Sequence, residues 1–207
     1  ARRAGAVHPS PGIRYVAADG SVNDYMAQYR KLLELQHRGL VGIEMHGFTH
    51  MHAALDRWAH ADDRYDALAW YREFSADAAA ARAVTTGEGG PLAEAAAALR
   101  RHFGATPTTL IFPGEAVTAA SLAAALDLGI ELIGSYYLAL RRGGRFCWAQ
   151  HVCAPYLDEP DAAWLDAELP TVGYFHDRDI AIEGPEWFPN QLERWMAAGV
   201  RRFVDYR

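Results

Sequence analysis

The sequence predicts an α/β fold in which mostly parallel strands form a sheet, open or closed into a barrel, with helices outside it. Two observations predict this class. Short apolar runs of strand character alternate along the chain with longer segments of helical periodicity. Several strands also end in titratable residues or in a Pro-Gly pair, as strands do at the open face of an α/β barrel. The 207 residues, 51% of them apolar, suffice for one domain over residues 1–207 with a sizeable core.

The first half of the chain begins with a strand over residues 13–18. Ser21 is a favourable N-cap for an amphipathic helix that runs to His37, and Gly39 suits the position after its C-cap. The later elements of this half are a buried strand over 40–45, an irregular aromatic-rich segment over 51–74, helices over 75–84 and 91–102, and a strand over 108–112.

The second half continues the alternation of strand and helix. A helix over residues 118–128 ends at Gly129, where the chain turns into a strand. The residues around Gly143-Gly144 predict a hairpin, because paired glycines favour tight turns between strands. The remaining elements are strands over 130–135 and 172–175, a helix over 189–198 and a terminal strand over 202–205.

Composition excludes two classes of partner. The net charge of −6 argues against nucleic-acid binding, since such domains usually present a basic face. No apolar stretch approaches the roughly 20 residues that a transmembrane helix needs, so we expect no membrane span. The two cysteines, Cys147 and Cys153, could pair across a hairpin, but we expect them to be reduced, because nothing else in the sequence suggests a disulfide scaffold.

The most informative motif is His46-Gly-Phe-Thr-His50, which directly follows the strand predicted over 40–45. Side chains at i and i+4 point the same way in an extended or a helical backbone. Imidazole nitrogen is a common protein ligand for zinc and similar divalent metals. The motif therefore predicts a metal site with His46 and His50 as ligands. An ordinary polar loop remains the alternative from the spacing alone.

Two other predicted strands end in features of the same kind. Phe112-Pro113-Gly114 closes the strand over 108–112, and His176-Asp177 follows the strand over 172–175. Because the carboxyl ends of parallel strands meet at one face, these features are expected to converge with the histidine motif.

With these motifs the chain resembles the polysaccharide deacetylase (NodB homology) family, in the divergent branch whose metal motif is HGxTH. That family folds as an irregular (β/α) barrel. His46 and His50 fall on its two metal-ligating histidines, while Thr49 is the candidate for the hydroxyl that Gly47 lacks. Pro113 falls on the proline of the RxPY motif, although Ile111 replaces the arginine. The family's last motif, LxIH, aligns with Val172-Gly-Tyr-Phe-His176.

One departure from the family concerns its opening strand, which carries an Asp-Asp pair that serves as general base and third metal ligand. No predicted strand of this chain has such a pair. We expect instead that residues 1–8 correspond to the end of the family's first helix, so that the sequence begins inside the fold and lacks the first strand. The alternatives are loss of that strand, with an inactive site, or Asp19 as the coordinating carboxylate.

The resemblance implies a metal-dependent hydrolase, with Zn²⁺ as the metal, that removes acetyl groups from an N- or O-acetylated polysaccharide. His176 would donate a proton to the leaving group, with Asp177 or Asp179 fixing its tautomer. Backbone N–H groups beside Pro113, from Gly114 on, would bind the oxyanion, and Trp58 and Trp187 would stack on sugar rings. An extracytoplasmic or cell-envelope location follows from the resemblance alone.

Two other functions remain open on the sequence. One is a catalytically decayed carbohydrate-binding domain, and the other is a metal amidohydrolase that acts on a small non-sugar amide. Two polar residues close to the motifs are expected to lie in solvent rather than in a site: His52 in a surface loop, and Asp179 in a solvated turn.

Overall fold

The structure is a computed structural model that describes residues 14–16, 20–54, 71–78, 90–134, 138–141, 145–148, 150–153, 162–168 and 171–204. The chain forms two compact units, Ala1–Gly134 and Ser135–Arg207. Within the described residues, no helix has the length and apolar character needed to cross a bilayer. The single domain expected over 1–207 stays a prediction.

Among its described residues, the first unit forms a β-hairpin, α-helices and a pair of parallel strands. Its elements are β1 (Arg14–Val16), β2 (Val22–Asp24), α1 (Met26–His37), α2 (Gly90–Phe103), β3 (Thr109–Ile111), a 3₁₀ turn (Pro113–Glu115), α3 (Ala119–Asp127) and β4 (Leu132–Gly134). The helices predicted over 91–102 and 118–128 and the strands predicted over 108–112 and 130–135 are thus confirmed. Thr118 and Ser121 cap the start of α3 reciprocally.

The core of this unit lies on β3. Leu110 and Ile130 are fully buried, and a cluster of apolar side chains surrounds them: Met45, Phe74, Leu92, Ala95, Ala96, Phe112 and Ala125. Met45 forms a parallel bridge with Leu110, and its N–H donates to Thr109 O at 3.1 Å. The residue before the histidine motif is therefore fixed in the core beside β3.

The strand predicted over 40–45 is wrong for its first part. Leu40 is 61% exposed, and Met45 alone of these residues pairs with β3. A continued parallel ladder would pair Thr109 N–H with a backbone carbonyl of the neighbouring segment. The Glu44 carboxylate takes that donor at 2.9 Å, and it also accepts from Thr108 N–H at 2.8 Å. The Glu44 side chain therefore takes the place of the backbone acceptor that would continue the ladder.

The start predicted for α1 is also wrong. Residues around Ser21 form β2, which pairs antiparallel with β1 so that Val16 faces Val22. The β-branched Val22 suits this hairpin better than a first helical turn. The N–H of Met26 is instead capped by Asp24 Oδ1 at 2.9 Å. The predicted end is confirmed, because Gly39 adopts φ 69° and its N–H donates back to Gln36 O.

The described part of the second unit contains four short strands and three helices. They are β5 (Leu138–Arg141), β6 (Arg145–Trp148), β7 (Gln150–Cys153), α4 (Ala162–Asp166), β8 (Thr171–Tyr174), α5 (Asp177–Glu183) and α6 (Trp187–Ala197). The predicted hairpin is confirmed as the antiparallel pair β5–β6, whereas β7 and β8 are parallel. Closure of the described strands into a barrel stays a prediction.

Packing in the second unit centres on Trp195, whose ring lies against Gly173 of β8. A Cβ at Gly173 would come within 2.7 Å of that ring, so the close contact requires glycine. The terminal strand predicted over 202–205 is wrong for the residues that the structure describes, 201–204. Phe203 there is half exposed, and the segment lacks the burial that a closing strand would need.

The packing around β3 predicts unequal costs for two leucine truncations. Leu110→Ala should lower the free energy of unfolding by about 2–5 kcal/mol, because Leu110 is fully buried. The matched variant Leu40→Ala should change it by roughly 0.5 kcal/mol or less. Urea denaturation followed by circular dichroism measures both. Equal losses would contradict the exposed position of Leu40.

Candidate metal centre

The two histidines of the HGxTH motif each point Nδ1 at a backbone carbonyl. His46 Nδ1 lies 2.9 Å from Ile111 O, and His50 Nδ1 lies 3.0 Å from Tyr71 O. A carbonyl oxygen can only accept, so Nδ1 carries the hydrogen in both rings. In the neutral rings Nε2 then holds the lone pair. Metal-binding histidines in proteins commonly have this arrangement, with the second nitrogen donating to a backbone carbonyl or a carboxylate.

The two rings are close enough to share one ion. Their centroids are 4.9 Å apart, with an interplanar angle of 74°. Imidazoles that bind one tetrahedral zinc through Nε2 at the usual Zn–N distance place their ring centres about 5 Å apart. His46 is exposed and His50 is half-buried, so the pair borders solvent. Among the residues that the structure describes, no group of three His, Cys, Asp or Glu side chains converges, so the donor set found here is the pair.

A buried carboxylate that the sequence analysis missed holds the loop of the motif. Glu73 is 1% exposed, and its Oε2 accepts from the N–H groups of Phe48, Thr49 and His50 at 3.0, 3.1 and 3.1 Å. Its Oε1 accepts from the Thr49 hydroxyl at 3.1 Å. Three successive amides thus enclose one carboxylate, an arrangement that suits an anion. A single Glu in an irregular segment gave the sequence analysis no pattern to recognise.

The motif also needs glycine at position 47, because the chain is crowded there. Gly47 has φ 77°, and a Cβ on it would lie 2.5 Å from Pro113 Cγ and 2.6 Å from Glu73 Oε2. Gly114 is similarly constrained, with φ 61° and Tyr71 Cδ2 at 2.6 Å from a Cβ. Segment 71–74 therefore packs closely against the histidine motif and against the Pro113-Gly114 turn.

The Pro113-Gly114 turn remains the predicted source of the oxyanion donor. Pro113 is fully buried and opens the 3₁₀ turn. The N–H of Glu115 donates to Phe112 O at 3.1 Å, and that of Ala116 donates to Pro113 O at 3.4 Å. Both amides are therefore used within the turn, which narrows the prediction to the N–H of Gly114.

The expectation that His52 lies in a surface loop is wrong. Its side chain is buried, with the residue only 1% exposed. Nδ1 accepts from Ala54 N–H at 3.0 Å, and Nε2 lies 3.4 Å from Asp77 Oδ2. Because an amide can only donate, Nε2 carries the ring hydrogen toward the carboxylate. His52 is therefore a buried histidine whose Nδ1 is hydrogen-bonded and whose Nε2 lies near the Asp77 carboxylate.

In the second unit, His176 is the N-cap residue of α5, and Asp177 is the first residue of that helix. The N–H of His176 donates to Asp179 Oδ2 at 2.7 Å, and Nδ1 lies 3.5 Å from the same oxygen. Asp179 is 2% exposed, so the solvated turn expected for it is wrong. It occupies the third position of a helix, where a carboxylate can return to the N-cap amide.

Of the two predicted sugar-stacking residues, Trp187 lies in the described part of the chain and Trp58 does not. Trp187 begins α6 and forms an aromatic cluster with Phe175 and Phe188, at centroid distances of 6.2 and 6.4 Å. A cavity of about 840 Å³ in this unit is lined partly by Phe175, Phe188 and Trp195. Trp58 and the candidate ligand Asp19 both lie outside the described residues.

Because the chain is crowded at Gly47, we expect alanine there to lower the free energy of unfolding more than alanine at another left-handed glycine does. Gly39 has a similar φ of 69°, but a Cβ on it would meet nothing within 4 Å. Gly39→Ala should therefore cost only the backbone strain, about 1–2 kcal/mol. Gly47→Ala should cost about 1–3 kcal/mol more, through overpacking against Pro113 and Glu73. Urea titration of both variants tests this, and equal costs would contradict the close approach.

Comparison with known proteins identifies no relative of this chain. The chain matches no protein-family model, no curated protein and no solved structure.

Proposed function

We propose that this chain is a metal-dependent hydrolase that removes acetyl groups from an N- or O-acetylated polysaccharide. One observation carries the proposal: both histidines of the motif direct Nδ1 to carbonyl oxygens, with their rings 4.9 Å apart. A histidine in a surface loop has no need of a fixed tautomer, whereas a metal ligand gains affinity from one. The resemblance of the motifs to polysaccharide deacetylases supplies the substrate class.

The residues present fit a divalent metal, with Zn²⁺ as the ion preferred by imidazole ligands. His46 and His50 would hold it through Nε2, and a carboxylate outside the described residues, for which Asp19 is the candidate, would complete the set. When bound, such an ion lowers the pKa of a water ligand and polarises the carbonyl of the acetyl group.

The chain's own groups have separate roles in this proposal. His176 donates a proton to the departing nitrogen or oxygen, because imidazole exchanges protons near neutral pH. The buried carboxylate of Asp179, 3.5 Å from His176 Nδ1, orients that ring, a role that the sequence predicted for Asp177 or Asp179. The N–H of Gly114 stabilises the oxyanion. Trp187 is the sugar-stacking side chain.

The first test is metal content. The wild-type chain should bind about one zinc ion, measured by elemental analysis after dialysis and by calorimetric titration. The double variant His46→Ala/His50→Ala should bind none, because both imidazole donors are gone. His37→Ala is the matched control, since His37 is an exposed histidine in the last turn of α1, and it should retain the metal. A wild-type chain that does not bind added zinc would contradict the proposal.

The second test is acetate release from N-acetylglucosamine oligomers and from an O-acetylated oligosaccharide. His176→Ala should slow it by about 10²–10⁴-fold, the usual contribution of a general acid, while zinc content stays unchanged. An unchanged rate would remove His176 from the mechanism.

A second candidate function is a carbohydrate-binding domain without catalysis, which the cavity of the second unit favours. Aromatic faces of Phe175, Phe188 and Trp195 line it, and pyranose rings pack well on such faces. Calorimetry with the same N-acetylglucosamine oligomers tests this function. Binding that Phe188→Ala weakens, without acetate release by the wild type, would favour it over hydrolysis.

A further inference from the structure

The HGxTH motif depends on a residue outside it. Five hydrogen-bonding contacts run from residues 48–50 to the Glu73 carboxylate, at 3.0–3.2 Å from backbone N–H groups and 3.1 Å from the Thr49 hydroxyl. Because Glu73 is almost fully buried, these donors replace the water that its carboxylate would otherwise bind. The loop between the two histidines is thus folded around one carboxylate.

This fold of the loop determines where His50 points. His50 has φ 56°, in the left-handed region that a non-glycine residue adopts only when its surroundings impose it. Its own N–H is one of the three amides that donate to Glu73 Oε2. Two residues earlier along the same segment, Tyr71 O accepts from His50 Nδ1. Segment 71–73 therefore holds His50 by both its backbone and its ring.

His46 is held differently. Its backbone follows Met45, which is anchored beside β3, and its Nδ1 donates to Ile111 O at the end of that strand. Neither contact involves segment 71–73. Loss of the Glu73 contacts should consequently disturb His50 and leave His46 in place.

We propose that Glu73 is the positioning residue of the metal pair: its carboxylate holds residues 48–50 so that His50, with Nδ1 protonated, faces His46. The inference rests on the proposed function for its metal readout, but its structural part can be measured without metal. Glutamine is the informative replacement, since both oxygens of Glu73 accept hydrogen bonds. At Oε1 an amide –NH₂ would face the Thr49 N–H, and at Oε2 it would face all three loop amides, so either orientation sets it against a backbone donor.

The chain supplies a matched control in Glu44. This carboxylate also accepts two successive backbone N–H groups, those of Thr108 and Thr109, and it contacts the Thr108 hydroxyl at 3.3 Å. Glu44→Gln should therefore damage the same kind of contact at the start of β3, on the side of Met45 away from the histidine loop. A general loss of stability would affect both variants alike.

The first measurement uses metal-free full chain and records the ¹⁵N shifts of the histidine rings by NMR. In the wild type and in Glu44→Gln, His46 and His50 should both be Nδ1–H tautomers. In Glu73→Gln, His50 should shift to a mixture of tautomers while His46 keeps its hydrogen on Nδ1. A His50 ring that remains a single Nδ1–H tautomer in Glu73→Gln would overturn the inference.

The second measurement titrates Co²⁺ alone into each protein and follows its visible absorption. Glu73→Gln should weaken Co²⁺ binding about 10–100-fold, the usual cost of losing a group that orients metal ligands, whereas Glu44→Gln should bind as the wild type does. Equal weakening in both variants would overturn the inference in favour of general destabilisation. If the wild type binds no Co²⁺ but His50 changes tautomer in Glu73→Gln, the proposed function fails and the positioning role stands.

Discussion

The candidate site depends on one buried carboxylate that is enclosed by backbone amides. A charged group that leaves water needs several strong donors in return, and Glu73 obtains them from the segment that joins the two histidines. The same contact leaves no room for a side chain at Gly47 and determines the backbone of His50. The position of His50 is thus a consequence of charge burial, whereas His46 is held beside β3.

The motif lies between two supports of different kinds. On one side is β3, whose core position is set by Leu110 and whose last carbonyl, Ile111 O, receives His46. On the other side is segment 71–74, which provides both Tyr71 O and the Glu73 carboxylate, and whose Phe74 packs edge-on against Phe112 at 5.4 Å. Core packing at Phe74 and Phe112 therefore stabilises both supports together, and it keeps the acceptors of the two imidazoles at a fixed separation.

The sequence predicted those parts of the fold that depend on local patterns. The helices α2 and α3 and the strands β3 and β4 follow from apolar periodicity, from the Thr118 cap and from glycine ends, all of which are short-range signals. It placed β2 in the first turn of a helix, because a three-residue strand has too few residues to show a period. It also missed the exposure of Leu40, since a carboxylate that intercepts the Thr109 amide leaves no trace in hydrophobicity.

The residues of the candidate site likewise differ in whether a local sequence pattern indicates them. His46 and His50 could be predicted because both belong to one spaced motif, and Pro113 and Gly114 because they follow a strand. Glu73 could not, since it lies 23 residues from His50 and its partners are backbone amides, which every sequence has. Asp179 was misjudged for a related reason, because its carboxylate reaches the amide of His176, three residues earlier, only once α5 has formed. Side chain-to-backbone contacts of this kind escape a reading based on residue types.

The glycine at position 47 of the motif has a physical explanation in the same carboxylate. Thr49 was the candidate for the hydroxyl that Gly47 lacks, and its Oγ1 lies 3.1 Å from Glu73 Oε1 while it accepts from Met51 N–H. A serine or threonine at position 47 would place its Cβ against Pro113 Cγ and Glu73 Oε2, in a backbone region that β-branched residues avoid. Glycine at 47 and threonine at 49 are therefore coupled choices. Gly47 leaves room for the Glu73 carboxylate next to the loop. Thr49 supplies a hydroxyl donor to the same carboxylate.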